Sequence, residues 1–81
     1  MPQIHRFPSK VKICMYPDHA PPHFHVRGPG WSVVVNIKGF KVARGRPPKK
    51  AKKELARAIR WAKDNKALLV AEWERLSERD D

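Results

Sequence analysis

Acidic residues are scarce in the first two thirds of this 81-residue sequence, which has a formal net charge of +10. Only Asp18 of its 8 Asp and Glu residues precedes residue 54, whereas 12 of its 18 Lys and Arg residues lie there. The cations are densest in residues 38–53, which contain eight Lys or Arg and no acid. A positive field with so little compensation favours a polyanionic partner over a role in solubility alone.

Cysteine and long apolar runs are also scarce. The single thiol, Cys14, has no partner for an internal disulfide, which is typical of proteins in a reducing compartment. No stretch comes near the roughly 18 consecutive apolar residues of a membrane span, and the first residues lack the apolar core of a secretory signal. We therefore expect a cytoplasmic protein that has no membrane partner.

The length and the hydrophobic pattern predict one small domain, residues 1–81, of the α+β class. A chain of this size buries only about 60% of the surface that it exposes when unfolded, which excludes a large enclosed cleft. Alternating apolar side chains predict strands within residues 1–43, notably at 11–15, 23–27 and 31–37. Phe40 and Val42 complete a predicted antiparallel sheet of three to four strands.

The rest of the chain predicts two helices, or one kinked helix, over about residues 49–79, after a basic connection at 44–48. Pro48 suits a first helical turn, and Asp64-Asn65 interrupts the apolar periodicity. Because all the strands precede the helices, we expect both helices to pack on one face of the sheet. Their apolar stripes are Ala51, Leu55, Ala58, Ile59 and Ala62, and then Leu69, Trp73 and Leu76.

Three of the four histidines lie within seven residues, at 19, 23 and 25. If the apolar residues of the strand face the core, His23, His25 and Arg27 share the opposite face. Paired imidazoles can act as general base and general acid near neutral pH, and a guanidinium can hold a phosphate. These three residues therefore form a candidate catalytic set for metal-independent RNA cleavage.

Two other interpretations of the same segment remain open. Asp18, His19, His23 and His25 could together hold a divalent metal, since imidazole and carboxylate are common ligands. Alternatively, the His and Pro residues only shape a loop, with hydrogen bonds to its backbone and with rings packed against Tyr16. No other cofactor is predicted.

The residues of this segment also resemble a known family. The sequence resembles the small bacterial family catalogued as domain of unknown function 4160. The similarity lies in the motif Asp18-His19-Ala20-Pro21-Pro22-His23-Phe24-His25, in the opening residues 1–7 and in the Trp-containing segments 59–62 and 72–76. The resemblance implies no established activity. It does imply a gene neighbour that encodes another small protein and a role in a suspected toxin-antitoxin pair.

The basic connection has a resemblance of its own. The sequence Arg44-Gly45-Arg46-Pro47 resembles an AT-hook, which binds the narrow minor groove of A·T-rich DNA. The alternative is a plain strand-to-helix connection in which Gly45 makes the turn. The resemblance to the family implies Leu before the proline, where this sequence has Arg46, so we expect the basic stretch to be a feature of this protein rather than of the family. The residues expected to contact phosphate are Arg44, Arg46, Lys49, Lys50, Lys52, Lys53 and Arg57.

These patterns lead to three hypotheses. The first is an RNA-directed, toxin-like nucleic-acid-binding protein with ribonuclease activity at His23 and His25. The second is a non-enzymatic DNA-binding regulator or antitoxin that uses the AT-hook-like element, and the third is a small metal-binding domain. The sequence does not decide whether the ligand is RNA or DNA. It also does not decide whether a protein partner is a cognate protein or a second copy of the chain.

Overall fold

The computed structural model describes residues 3–16 and 21–78. Two helices, α1 (Lys52–Asp64) and α2 (Lys66–Glu78), follow a single antiparallel sheet after a short 3-10 turn, Lys49–Ala51. The predicted α+β class is confirmed, with five strands rather than three or four. The strands lie side by side in chain order: β1 (Gln3–Arg6), β2 (Lys12–Cys14), β3 (His23–Gly28), β4 (Trp31–Asn36) and β5 (Val42–Gly45).

The additional strand is β1, which pairs with β2. Its register shifts between Gln3 and His5, so the two-residue alternation is broken there. Ile4 packs against the core, and the imidazole of His5 stacks on the indole of Trp61 with a centroid distance of 4.3 Å and an interplanar angle of 14°. A short strand with a bulge has no clear alternating pattern, which is why the sequence did not predict it.

Left-handed backbone closes the β4–β5 turn. Gly39 has φ 80° and Phe40 has φ 51°, and the amide of Asn36 donates to the carbonyl of Lys41 at 2.9 Å. Phe40 was predicted to begin the last strand, but this conformation excludes it from the sheet. Its ring lies 6.4 Å from that of Phe24, and the side chain is half-buried against the core.

The last strand extends two residues further than predicted. Arg44 pairs with Val34 and Gly45 pairs with Val33, so both residues lie in β5 rather than in the connection. Gly45 has φ 88°, and a Cβ at this position would collide with the carbonyl oxygen of Ser32. Only glycine can adopt this left-handed conformation at such a close distance to Ser32. Gly45 therefore allows β5 to extend as far as the basic connection.

A single core joins the sheet to the helices. Ile13, Phe24, Val26, Val33 and Val35 are buried on one face of the sheet. They form one cluster with the predicted helical stripes apart from Ala51, and the stripe residues are buried except for the half-buried Ile59. Full burial of such a side chain stabilises the fold by about 1.5–3 kcal/mol. The cluster also contains Leu55, Ala58, Ala62, Leu69, Trp73 and Leu76.

The helical region consists of two helices, one of the two predicted alternatives. Asn65 separates them: its amide donates to the carbonyl of Ala62 at 3.1 Å, and its Nδ2 donates to the carbonyl of Trp61 at 2.8 Å. These bonds satisfy carbonyls at the end of α1 that have no helical partner. Within the described part of the chain, neither helix is long and apolar enough to cross a membrane.

Candidate nucleic-acid interface

The face of the sheet opposite the core, here called the polar face, carries the side chains of two cross-strand rows. Residues directly opposite each other on neighbouring strands share a face. One row runs from Arg6 on β1 through Lys12 on β2 to Arg27 on β3. The other runs from Cys14 through His25 and Val34 to Arg44. The register therefore places cations from separate parts of the sequence on one surface.

Strand β3 alternates between the two faces in the predicted way. Phe24 and Val26 are buried in the core, whereas His23 and His25 are half-buried and Arg27 is exposed. The centroids of the two imidazole rings are 5.5 Å apart. The structure thus brings together the three residues of the candidate catalytic set on one strand.

Ring contacts extend from this pair in both directions. Tyr16 packs edge-on against His25, with centroids 4.9 Å apart, and its hydroxyl accepts a hydrogen bond from Nη1 of Arg27 at 3.0 Å. On the other side, the His23 ring lies 5.1 Å from the ring of Trp73 on α2. The histidine pair is therefore joined both to the polar face and to the helical layer.

His23 also bonds to the loop before its strand. Its Nδ1 lies 2.8 Å from the carbonyl oxygen of Pro21. Since a carbonyl only accepts, this bond places a proton on Nδ1, and the lone pair of the neutral ring is then on Nε2. These are the contacts that the loop-shaping interpretation requires, and they also hold the two imidazoles side by side.

The metal hypothesis depends on Asp18 and His19, which lie outside the described residues. Among residues 3–16 and 21–78, no three His, Cys, Asp or Glu side chains are close enough to hold an ion. A site built on His23 and His25 would therefore need ligands from outside those residues.

A cavity of about 600 Å³ opens beside the Arg6–Lys12–Arg27 row, and we call it the basic cleft. Its described lining contains four cations and no carboxylate: Arg6, Lys10, Lys12 and Arg27, with Cys14 and Tyr16. Of these cations, the sequence pointed only to Arg27. A hairpin centred on Pro8-Ser9 pairs Arg6 with Lys12, and this turn signal could have revealed that pair but not its alignment with Arg27.

Strand order brings the predicted basic segment close to the same region. In an antiparallel sheet, the ends of β1, β3 and β5 lie beside the starts of β2 and β4. A second cavity of about 320 Å³ is lined by Ser9, Pro29, Pro48, Lys50 and Glu54, so the helix start contacts the same region as two strand turns. We call this region the basic end, with the cations Arg6, Lys10, Lys12, Arg27, Arg46, Lys49, Lys50, Lys52 and Lys53.

The predicted phosphate-contacting residues are all exposed. Arg46 lies in the connection, whereas Arg57 lies farther along α1. Arg44 is the one that shares a cross-strand row with His25. The remaining four, Lys49, Lys50, Lys52 and Lys53, occupy the 3-10 turn and the first turn of α1.

Half of the AT-hook-like sequence is part of the sheet, and Arg46 and Pro47 follow in the connection. Arg44 and Gly45 pair with β4, and Gly45 lies against the carbonyl of Ser32. An element that enters a minor groove needs an extended chain whose backbone can approach the bases. The geometry therefore matches the strand-to-helix alternative in part: the segment joins β5 to the helical region, but Gly45 is the last residue of the strand rather than a turn.

Charge compensation lies elsewhere in the molecule. Among the described residues, the ion pair is on α2, where Nη2 of Arg75 donates to Oε2 of Glu72 at 2.7 Å. This hydrogen bond, with the positive charge of Arg75, lowers the pKa of Glu72. At the basic end, Glu54 is the carboxylate that lines the second cavity. The basic end thus retains a large positive excess.

These features define a small α+β domain that has a basic cleft and a histidine pair on the polar face of its sheet. The chain belongs to the family described as Domain of unknown function (DUF4160), whose model matches residues 11–74. No curated protein and no solved structure matches the chain. The match confirms the resemblance seen in the sequence and includes the histidine pair, whereas Arg6 and Lys10 of the basic cleft precede the matched region.

Proposed function

We propose that this protein binds nucleic acid at its basic end and that its ligand is RNA. The observation that carries the proposal is the convergence of cations from the β1–β2 hairpin, the end of β3 and the start of the helical region. Clustered cations are costly to hold together unless a polyanion neutralises them. A phosphate backbone does so by releasing its own counterions, which also makes the binding depend on salt.

Two features favour RNA over duplex DNA. The AT-hook-like residues Arg44 and Gly45 are paired in β5, so they are not arranged to enter a minor groove. The basic cleft is a concave site, which suits a flexible single strand whose phosphates can turn into it better than a rigid duplex. The DNA-binding regulator is therefore the less favoured alternative.

Ribonuclease activity is a second candidate function, supported by the 5.5 Å separation of the His23 and His25 rings. In such a reaction one imidazole takes the proton from a ribose 2′-hydroxyl, whose oxygen then forms a bond to the phosphorus. The other imidazole donates a proton to the departing 5′-oxygen as its bond to phosphorus breaks. Arg27, on the same face, is suited to hold the phosphate, and no metal enters these steps.

The cellular setting is part of the same proposal. The protein acts in the cytoplasm, where the single buried thiol of Cys14 stays reduced. It is the RNA-directed component of a toxin-antitoxin-like pair, whose other member binds it directly. Co-expression with the protein encoded by the neighbouring gene tests the pairing, because a cognate partner co-purifies with the chain and an unrelated neighbour does not.

Binding is tested by fluorescence anisotropy with a single-stranded RNA, the same sequence as single-stranded DNA, and an A·T-rich duplex. We expect tighter binding of RNA than of the duplex. If six phosphate contacts form, affinity for the single strand falls by roughly 300-fold between about 50 and 200 mM salt. Absence of binding at low salt, or binding with no salt dependence, overturns the proposal, and a preference for the duplex supports the DNA-binding alternative.

Cleavage is tested separately with an RNA that is labelled at both ends, in the presence of a chelator. Wild-type protein and the His23→Gln and His25→Gln variants are purified in parallel, so that contaminating nuclease appears equally in all three. Cleavage that is lost by at least about 10²-fold in both variants, while RNA binding persists, supports the ribonuclease function. Equal cleavage by all three proteins rejects it and leaves the binding proposal intact.

A further inference from the structure

We infer that the basic cleft is a binding site for a phosphate monoester, the group found at the end of an RNA strand or on a free mononucleotide. The inference rests on the proposed function and deepens it, because it assigns a particular chemical group to one part of the basic end. It is supported by the volume of the cleft, its charge, the arrangement of its cations and the backbone of Lys10.

The size and shape of the cleft suit a ligand of nucleotide size. Its volume of about 600 Å³ lies within the range of roughly 300–1,000 Å³ typical of small-molecule sites. Arg6, Lys12 and Arg27 lie opposite one another on three neighbouring strands, so their side chains emerge side by side along one wall. A group that enters the cleft therefore meets several cations at once.

The charge of the cleft is better matched by a monoester than by a diester. Four cations line it, and its described lining contains no Asp or Glu. A phosphodiester carries one negative charge, whereas a monoester near neutral pH carries about 1.5 to 2 and offers three acceptor oxygens. Guanidinium groups bind such oxygens in pairs, so Arg6 and Arg27 are suited to contact the same group.

Arg27 is held in place before any ligand arrives. Its Nη1 donates to the hydroxyl of Tyr16, and the Tyr16 ring packs against His25. Restricting a long side chain in advance lowers the entropy that binding must remove. One N–H of the guanidinium thus orients the group, and its other N–H donors can bind an anion.

Lys10 provides an independent indication of a binding role. It has φ 68°, a left-handed backbone that favours glycine or asparagine, in a turn closed by a 3.1 Å bond from its amide to the carbonyl of Phe7. Residues kept in such a conformation tend to occur at ligand sites. Here the turn places a cationic side chain at the cleft. A glycine would adopt this backbone without strain but would add no charge to the cleft.

The experiment compares one short single-stranded RNA with a 5′-phosphate, a 3′-phosphate or hydroxyls at both ends. Adenosine monophosphate, adenosine and inorganic phosphate serve as competitors. We expect a terminal phosphate to increase affinity about tenfold, as charge-assisted hydrogen bonds to one added group would. We also expect the monophosphate, but not adenosine, to compete.

The outcomes separate the two proposals and the two ligand sources. Equal binding of all three RNAs, with no competition by the monophosphate, overturns the cleft assignment and leaves RNA binding intact. Failure of every RNA to bind overturns the proposed function, and binding of the monophosphate alone, measured directly by calorimetry, would then identify a free nucleotide as the ligand. If inorganic phosphate and the monophosphate compete equally, the site recognises the phosphate group alone, which still supports the inference.

The variant Lys10→Gly distinguishes a binding role from a structural one. It removes one cation and relieves the left-handed strain, so the protein should be at least as stable as the wild type while losing most of the tenfold preference for a terminal phosphate. Lys38→Gln, an exposed lysine outside the cleft, is the matched control and should keep the full preference. A Lys10→Gly protein that retains the full preference overturns the role of Lys10, and the same result with Arg27→Gln overturns the cleft site.

Discussion

Arg27 on β3 and Tyr16, two residues beyond the end of β2, are joined by a hydrogen bond of 3.0 Å from the guanidinium Nη1 to the phenol oxygen. Both residues line the basic cleft, and the Tyr16 ring also packs against His25 of the histidine pair. One phenol therefore connects the proposed binding site to the proposed catalytic pair. A change in Tyr16 should affect both.

Tyr16→Phe should weaken RNA binding by about threefold, because it frees the Arg27 guanidinium while it keeps the ring against His25. The bond is exposed, so the free energy of unfolding should fall by less than about 1 kcal/mol. Anisotropy and urea denaturation measure the two effects. Tyr16→Leu also removes the ring contact and should reduce any RNA cleavage further, whereas identical behaviour of the two variants would show that the ring contributes nothing.

Gly45→Ala should be strongly destabilising. The substitution combines left-handed backbone strain at φ 88° with a collision between the new Cβ and the Ser32 carbonyl. We expect a loss of about 3 kcal/mol in urea denaturation, since strain and overpacking each contribute roughly 1–3 kcal/mol.

Gly39→Ala is the matched control for that change. Gly39 has a similar φ of 80°, but nothing lies within 4 Å of the added Cβ. It should therefore lose only the strain component, about 1–2 kcal/mol. If the two variants are equally stable, the close approach of Gly45 to Ser32 does not contribute to the specificity for glycine.

Much of the fold could be predicted from local sequence patterns. The alternation of Phe24 and Val26 identified the buried face of β3, and the apolar spacing of the helices identified their core positions. Phe40 could not be placed correctly, because its left-handed backbone depends on the turn and on packing near Phe24 rather than on its own preference. A phenylalanine beside a valine is otherwise typical of a strand.

The site was only partly predictable, for a different reason. His23, His25 and Arg27 are close in the sequence, so their alternation alone placed them on one face. The basic cleft also needs Arg6 and Lys12, which meet Arg27 only through strand pairing. Register across three strands is a tertiary property, and no local pattern in a strand as irregular as β1 specifies it.

Trp61→Ala should loosen β1 more than the rest of the sheet. The indole stacks on His5 and lies edge-on to Phe7 at 6.3 Å, so it joins the outermost strand and its turn to α1. We expect a loss of about 2–3 kcal/mol in unfolding free energy and faster amide exchange in β1 than in β3. Leu68→Ala, at a side chain that is 44% exposed, is the control and should change stability by less than about 0.5 kcal/mol.

The Arg75–Glu72 pair should give a small, pH-dependent contribution to stability. The hydrogen bond from Arg75 lowers the pKa of Glu72 in the folded protein. The stabilisation is therefore fully present above the ordinary pKa of a glutamate and is lost as the pH falls through the lowered value. Thermal unfolding of wild type and Glu72→Gln should differ at neutral pH and converge in strong acid. Glu74→Gln, exposed on the same helix, should show no such convergence.

The basic end is best tested by two charge-matched double variants. Lys49→Gln with Lys50→Gln removes two exposed cations at the basic end, whereas Lys38→Gln with Lys41→Gln removes two from the β4–β5 turn at the other end of the sheet. Both variants have the same net charge, so any effect of overall charge alone is equal in the two. Each phosphate contact contributes about 0.7 to the slope of log affinity against log salt for a single strand. The first variant should therefore reduce the slope by about 1.4 and the second should leave it nearly unchanged. Equal reductions of the slope in the two variants would mean that RNA binding depends on the net charge of the protein rather than on cations at one end of its sheet.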